Sequence, residues 1–172
     1  IPASFRENRL DVMHDFMRAH PFGLLVSSGA GGLQATPLPF LLEADGGNGM
    51  LRAHLARANP HWQALASVDE CLVVFQGEQG YVTPSWYASK AATGKVVPTW
   101  NYAAVHAWGH PAVVEDAAWL RRQVEALTFG QEGRRAQAWA VDDAPADYLA
   151  AQMQAIVGIE IAIAALQGKW KT

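Results

Sequence analysis

Short strand-like runs separated by glycine-rich turns constrain this chain more than any other feature. Leu24–Ser27, Leu33–Leu42 and Met50–Leu55 read as strands, and the segments between them are GAGG at 29–32 and ADGGNG at 44–49. Two hairpins therefore follow one another. Pro37 and Pro39 lack a backbone N–H and push the second run towards a sheet edge. Helices flank these strands. Leu10, Met13, Phe16 and Met17 share one face of Asn8–Ala19, and Pro60 stands at the first position of a short helix over Asn59–Ser67.

Further along, Cys71–Phe75 reads as a core strand with Gln79–Val82 as its hairpin partner. Tyr102–Glu115 alternates with period two, with a bulge expected at Gly109 and Pro111. Asp116 is placed to cap a helix carrying Trp119, Leu120, Val124 and Leu127, residues 130–143 read as irregular, Pro145 opens a helix to Gln154, and Ile156–Ile163 is a last strand. Strands in hairpins with helices at the flanks predict a mainly β, α+β fold: an antiparallel barrel formed by a single domain over 1–172.

The segment from Gln76 to Gly109 is unusual chemically. It holds Tyr81, Trp86, Tyr87, Trp100, Tyr102 and Trp108, and no Asp or Glu occurs from Gln79 to Val114. Long loops ordinarily avoid apolar bulk because their backbone must stay solvated. Two readings are open. The segment holds a flat anionic ligand, with Lys90, Lys95, His106 and His110 supplying nitrogen, or its rings plug a barrel end.

Composition limits the function classes. Half the residues are hydrophobic (51%) and only 17% are charged, so a folded core is expected. So little charge beside seven Trp suggests apolar surface hidden in a second copy of the chain. A net charge of −3 argues against broad electrostatic binding of DNA, without excluding a local patch. The lone Cys71 excludes an internal disulfide and reads as a small buried hydrophobe. With no apolar stretch near 20 residues and no signal-like start, a cytoplasmic protein without a membrane segment is expected.

Several catalytic signatures are missing. There is no G-x-S-x-G elbow; Gly94-Lys95 lacks the first glycine and the Ser or Thr of a phosphate loop; no carboxylate–His cluster has metal spacing. What remains is LRAHLARANPHW at 51–62. Here Arg52, His54 and Arg57 come round a strand-to-helix corner at Asn59, an arrangement suited to a phosphate. The alternative is that Asn59 only caps, His54 is a core histidine and the arginines are surface charges.

Taken in order, HPFGLLVSS, ATPLPFLLE, LRAHLARANPHW, VVFQGEQGYVTPSWY, GKVVPTWNYAAVHAWG, WAVDDAPADY and IVGIEIAIAALQGKWK resemble the PaiB-type FMN-binding proteins over nearly the whole chain. That family looks like a branch of the FMN-binding split barrels, which include pyridoxamine phosphate oxidases, and its members are described as negative transcriptional regulators. The resemblance implies an antiparallel split β-barrel homodimer with FMN at the interface between two barrels. It implies that Ala35, Thr36, Pro37 and Leu38 face the ring or ribityl chain, and that Arg52, His54 and Asn59 hold the phosphate. Trp86, Lys90, Trp100 and Asn101 would close over the ring from the neighbouring subunit, with Lys169 and Trp170 finishing the pocket. Two departures stand out: the sequence stops at Thr172, before the polar tail that commonly follows GKWK, so that either the end is missing or the contact is, and Thr128–Glu132 stands where relatives tend to carry a His-Glu pair.

Three functions follow as expectations: an FMN-binding transcriptional regulator with DNA as a partner, a flavin-dependent oxidoreductase for a small molecule, or a protein that holds flavin or haem without turnover. The regulator reading rests on the resemblance, since no basic recognition helix is visible.

Overall fold

The computed structural model describes residues 1–172. In chain order the elements are β1 (Arg6–Glu7), α1 (Leu10–Ala19), β2 (Phe22–Gly29), β3 (Gly32–Pro39), β4 (Leu41–Glu43), β5 (Met50–Ala56) and α2 (His61–Leu65). There follow β6 (Cys71–Val82), α3 (Ser89–Thr93), β7 (Thr99–Val114), α4 (Ala117–Glu132), α5 (Ala146–Gln154) and β8 (Ile156–Lys171).

All strands join one antiparallel sheet in the order β3-β2-β6-β7-β8-β5-β4, and β1 adds to the far end of β8. The two edge strands β3 and β4 are consecutive in the chain, with only Phe40 between them. The sheet must therefore roll until its edges meet at one corner, which makes the antiparallel barrel expected from the hairpin pattern, split along the remaining length. Pro37 and Pro39 lie in β3, an edge strand, where a missing N–H costs no ladder bond on the open side.

Alternate residues fill the inside. Leu25, Leu51, Val73, Phe75, Val105, Ala107, Ile159 and Ile161 lose essentially all solvent contact. β2 starts beside α1 and ends beside α2, so the two helices close opposite ends of the barrel. α1 contributes Met13 and Met17, and α2 contributes His61 and Leu65. Cys71 is buried as expected; its thiol is pushed up to about 12, chiefly by burial, and donates to the Gly109 carbonyl. On the outside, α4 lies across β5 and β8, started by the Asp116 carboxylate, which accepts from the Trp119 backbone N–H at 2.7 Å. The bulge expected at Gly109 is present as a register shift between Trp108 and Gly109.

Three expectations need correction. Gln79–Val82 is not the partner of Cys71–Phe75: both belong to the continuous strand β6, which pairs with β2 on one side and β7 on the other. The run QGEQG is a bulge, with a register shift between Gln76 and Gln79. Glycine is needed there because a Cβ on Gly77 would stand 2.8 Å from the Phe16 ring. Secondly, β8 does not stop at Ile163. It continues through the basic tail to Lys171, because the first half of β7 needs a neighbour and Tyr102–Trp108 take Ala165–Lys171. Finally, the aromatic segment plugs no end of its own barrel. Trp86 is 72% exposed and Trp100 54%, and α1 and α2 already fill those places.

No helix is long and apolar enough to cross a membrane.

Candidate functional site

On β5, Leu51, Ala53 and Leu55 face the core, so Arg52 and His54 face outwards, towards the side over which α4 packs. The Arg52 guanidinium pairs with Glu43, and its cross-strand neighbour on β8 is Glu160. Glu160 in turn accepts from Trp119 Nε1 at 2.6 Å. Three polar groups gather on this side without partners: Arg52 Nε, His54 Nδ1 and both amide atoms of Gln123, which is 1% exposed on α4. Burial lowers the pKa of His54, so its imidazole is neutral at physiological pH. Arg57, by contrast, is fully occupied. It reaches Glu115 at 2.5 Å and donates to the Gln154 and Ile156 carbonyls, which ties the β5–α2 corner to the end of α5.

Thr36 and Asn59 meet a residue that the sequence reading left out of the site. His61, buried in α2, has Nδ1 2.8 Å from Thr36 Oγ1 and Nε2 2.9 Å from Ser27 Oγ. Asn59 donates to Thr36 Oγ1 at 3.3 Å and accepts from the His61 backbone N–H at 3.0 Å. Burial lowers the His61 pKa as well. Being neutral, the ring donates through one nitrogen and accepts through the other, so it fixes which of the two hydroxyls gives its proton away. The spacing Asn59-Pro-His61 was the available signal: an Asx cap aims the second following residue back at the strands. Thr36 and Leu38 thus point into the barrel, while Ala35 and Pro37 point out from β3.

The remaining expected residues lie elsewhere. Lys169 is on the outer face at the far end of β8, where its ammonium donates to Tyr102 Oη. With Tyr102, Ala104, His106 and Gln167 it lines a hollow of about 180 Å³. Burial, and next the Lys169 charge, lower the His106 pKa. Trp100 stands outward beside Tyr81, ring centroids 6.0 Å apart. Asn101 and Trp170 face the other way, into the α1 end of the barrel, where Trp170 packs edge-on against Phe16 at 5.1 Å. Trp86 and Lys90 sit out on the β6–β7 connection, with Lys90 donating to Ser85 Oγ.

The expected constellation is therefore divided. Arg52 stands opposite Glu160 on β8, and Lys169 is nine residues further along the same strand. At about 3.3 Å per residue that is roughly 30 Å of strand, more than one flavin mononucleotide can bridge.

A rolled antiparallel sheet with helices on its ends and one flank defines the FMN-binding split-barrel class. The chain belongs to the family described as "Putative FMN-binding domain", whose model matches residues 1–165. An uncharacterized protein of Emericella nidulans is 36% identical over 201 residues, covering 96% of this chain and 80% of that protein. The Bacillus subtilis protein named protease synthase and sporulation protein PAI 2 is 28% identical over 171 residues, covering 99% and 80%. The PaiB-type resemblance read from the motifs is thus borne out, and FMN is the cofactor this family is defined by. Among solved structures, the flavocytochrome Anf3 of Azotobacter vinelandii superposes with a TM-score of 0.71 at 16% identity, covering 98% of this chain and 70% of that one. An FAD- and heme-binding protein of Mycobacterium smegmatis gives 0.69 at 20% identity, covering 96% and 73%. At those identities the likeness is one of fold.

The outward residues fit the anionic end of FMN in one respect that can be checked atom by atom. Arg52 Nε and His54 Nδ1 are buried nitrogens, two residues apart on one strand face, that have no hydrogen-bond partner within the chain. Buried polar atoms are rarely left so, because each costs about 1–3 kcal/mol.

Proposed function

We propose that two copies of this chain hold FMN between them and that the flavin acts on a small molecule. The division of the constellation along β8 carries this reading. Arg52 and His54 of one copy, and Trp100 and Lys169 of the other, become one site only when a second barrel lies against the first.

The outer face of β2, β6 and β7 supports the pairing. There Leu24 stands beside Val74, and Val26 beside Leu72 and then Trp108, an apolar surface on which Leu24 is 39% exposed. Two such faces together remove apolar area from water, and the proposed site requires a two-fold axis that sets each β8 end near the other copy's β5. In this arrangement Arg52 and His54 hold the phosphate, the outward Trp100 covers the ring, and the Lys169 ammonium lies where it biases the ring's electronics. Bound FMN would supply the redox chemistry itself. The side chains bind it, exclude water and, at neutral His106, offer a proton-accepting nitrogen.

A regulatory role is the second reading, supported by the likeness to the Bacillus protein named for protease synthesis and sporulation. This chain has two adjacent arginine pairs, Arg121-Arg122 and Arg134-Arg135, and one member of each is already engaged: Arg121 with Glu125 and Asp142, Arg135 with Glu132. That favours the small-molecule reading over DNA contact.

Complementation tests the two-copy site. R52A/H54A and W100A/K169A variants should each lose the flavin absorption bands after incubation with FMN and desalting. Refolded together they should regain about one quarter of the sites, since half of random dimers are mixed and each mixed dimer has one intact site of two. No recovery, with mixed dimers shown to form, would place both halves of the site in one copy. NADPH-dependent turnover of an acceptor would then support the oxidoreductase reading, and retardation of promoter DNA by the flavin-loaded dimer the regulatory one.

A further inference from the structure

The α1 end of the barrel carries a second cleft, of about 530 Å³, distinct in chemistry from anything suited to a phosphate. Its walls include Phe16, His20, Glu78, Asn101 and Trp170. Phe16 links the aromatic part: its ring lies 4.6 Å from His20 and 5.1 Å from Trp170. Gly77 permits this, because the side chains of both Phe16 and His20 lean into the space its Cβ would take. The same bulge swings Glu78 to the rim. No Lys or Arg lines the cleft, and Glu78 has no ion-pair partner. Bulges often re-aim a side chain beside a functional site. The cleft volume lies within the range of small-ligand sites, about 300–1,000 Å³.

We infer that this cleft binds a flat organic cation, a heteroaromatic ring with a positively charged nitrogen. The ring lies against Phe16 and Trp170, the positive nitrogen faces the Glu78 carboxylate, and the Asn101 amide is within the same walls. Aromatic faces attract cations through their negative quadrupole, and a carboxylate free of any other cation adds charge complementarity. An anion such as a phosphate would meet the Glu78 carboxylate and no Lys or Arg. The cleft belongs to one protomer, so the inference stands whether or not FMN bridges two copies.

Titration of the FMN-free protein with three matched probes, followed by calorimetry, tests it: 1-methylquinolinium, neutral quinoline and quinoline-2-carboxylate. The cation should bind at least roughly tenfold more tightly than the carboxylate. E78Q should bring the cation down to the level of neutral quinoline and leave quinoline itself unchanged. Equal affinity for cation and anion, or an unchanged cation affinity in E78Q, overturns the inference. Glu78 is exposed, so E78Q is expected to fold, and circular dichroism of the variant confirms it. FMN binding by E78Q, measured alongside, should match the parent; its loss would show that the cleft belongs to the flavin site and would also overturn the inference.

Discussion

The ring of Trp119 fills the place a side chain would take at Gly158. A Cβ built on Gly158 would stand 2.8 Å from Cε3 and closer still to Cζ3. This contact lets α4 lie flat on β8, and it brings Trp119 Nε1 to Glu160 two residues further along. Gly158 also pairs with His54 across the β5–β8 ladder, so the seat of α4 and the histidine of the candidate phosphate site are neighbours.

G158A should therefore lift α4 away. Forcing an extra methyl into a filled site typically costs about 1–3 kcal/mol. Urea denaturation should show a loss in that range, and FMN affinity should fall with it. A G158A protein of unchanged stability would mean that α4 moves freely on the sheet.

Acid should destabilise the protein through its neutral histidines. His54, His61 and His106 all have pKa values lowered by burial. The unfolded chain, with imidazoles near 6.5, then binds more protons than the native one as the pH falls. Stability is full above about pH 6.5 and declines below it, towards the lowered native values. H61Q should flatten part of that decline, at the expense of a lower plateau, because one hydroxyl of Ser27 or Thr36 loses its partner. The measurement is urea midpoint against pH from 8 to 5, and a curve in H61Q parallel to the parent's would dismiss the His61 contribution.

How much of this was legible beforehand depended on whether the deciding contact was local. Asp116, Pro60 and the glycine turns act within a few residues, and the helices and hairpins they govern were read from the sequence. The edge position of β3 followed from Pro37 and Pro39 for the same reason. The extension of β8 was not legible, because GKWK is polar and becomes a strand only by pairing with β1 and the start of β7. QGEQG looked like a turn until Phe16, sixty residues away, supplied a reason for its glycine. Within the site, residue types were readable but not their facing. Asn101 and Trp170 turn inwards while Trp100 and Lys169 turn outwards, and period-two alternation across an unseen bulge cannot be counted from the sequence.

A charge on the open sheet face should separate the two copies. Leu24 is 39% exposed and points away from the core, so L24E should leave the fold of each barrel within about 0.5 kcal/mol of the parent. On the proposed pairing, sedimentation should report a dimer for the parent and a monomer for L24E, and retained FMN should fall in parallel. A dimeric L24E protein with full FMN content would move the interface elsewhere on the molecule.

The strand β8 pairs with β1, β5 and β7, which precede it in the chain by up to about 160 residues. On a ribosome, then, β5 and the front of β7 wait with open ladders until β8 emerges. Such distant pairings are slow to form and leave strand edges exposed meanwhile. A chain cut before residue 156 would lack the strand that joins β7 to β5, so its sheet would fall into two separate pieces.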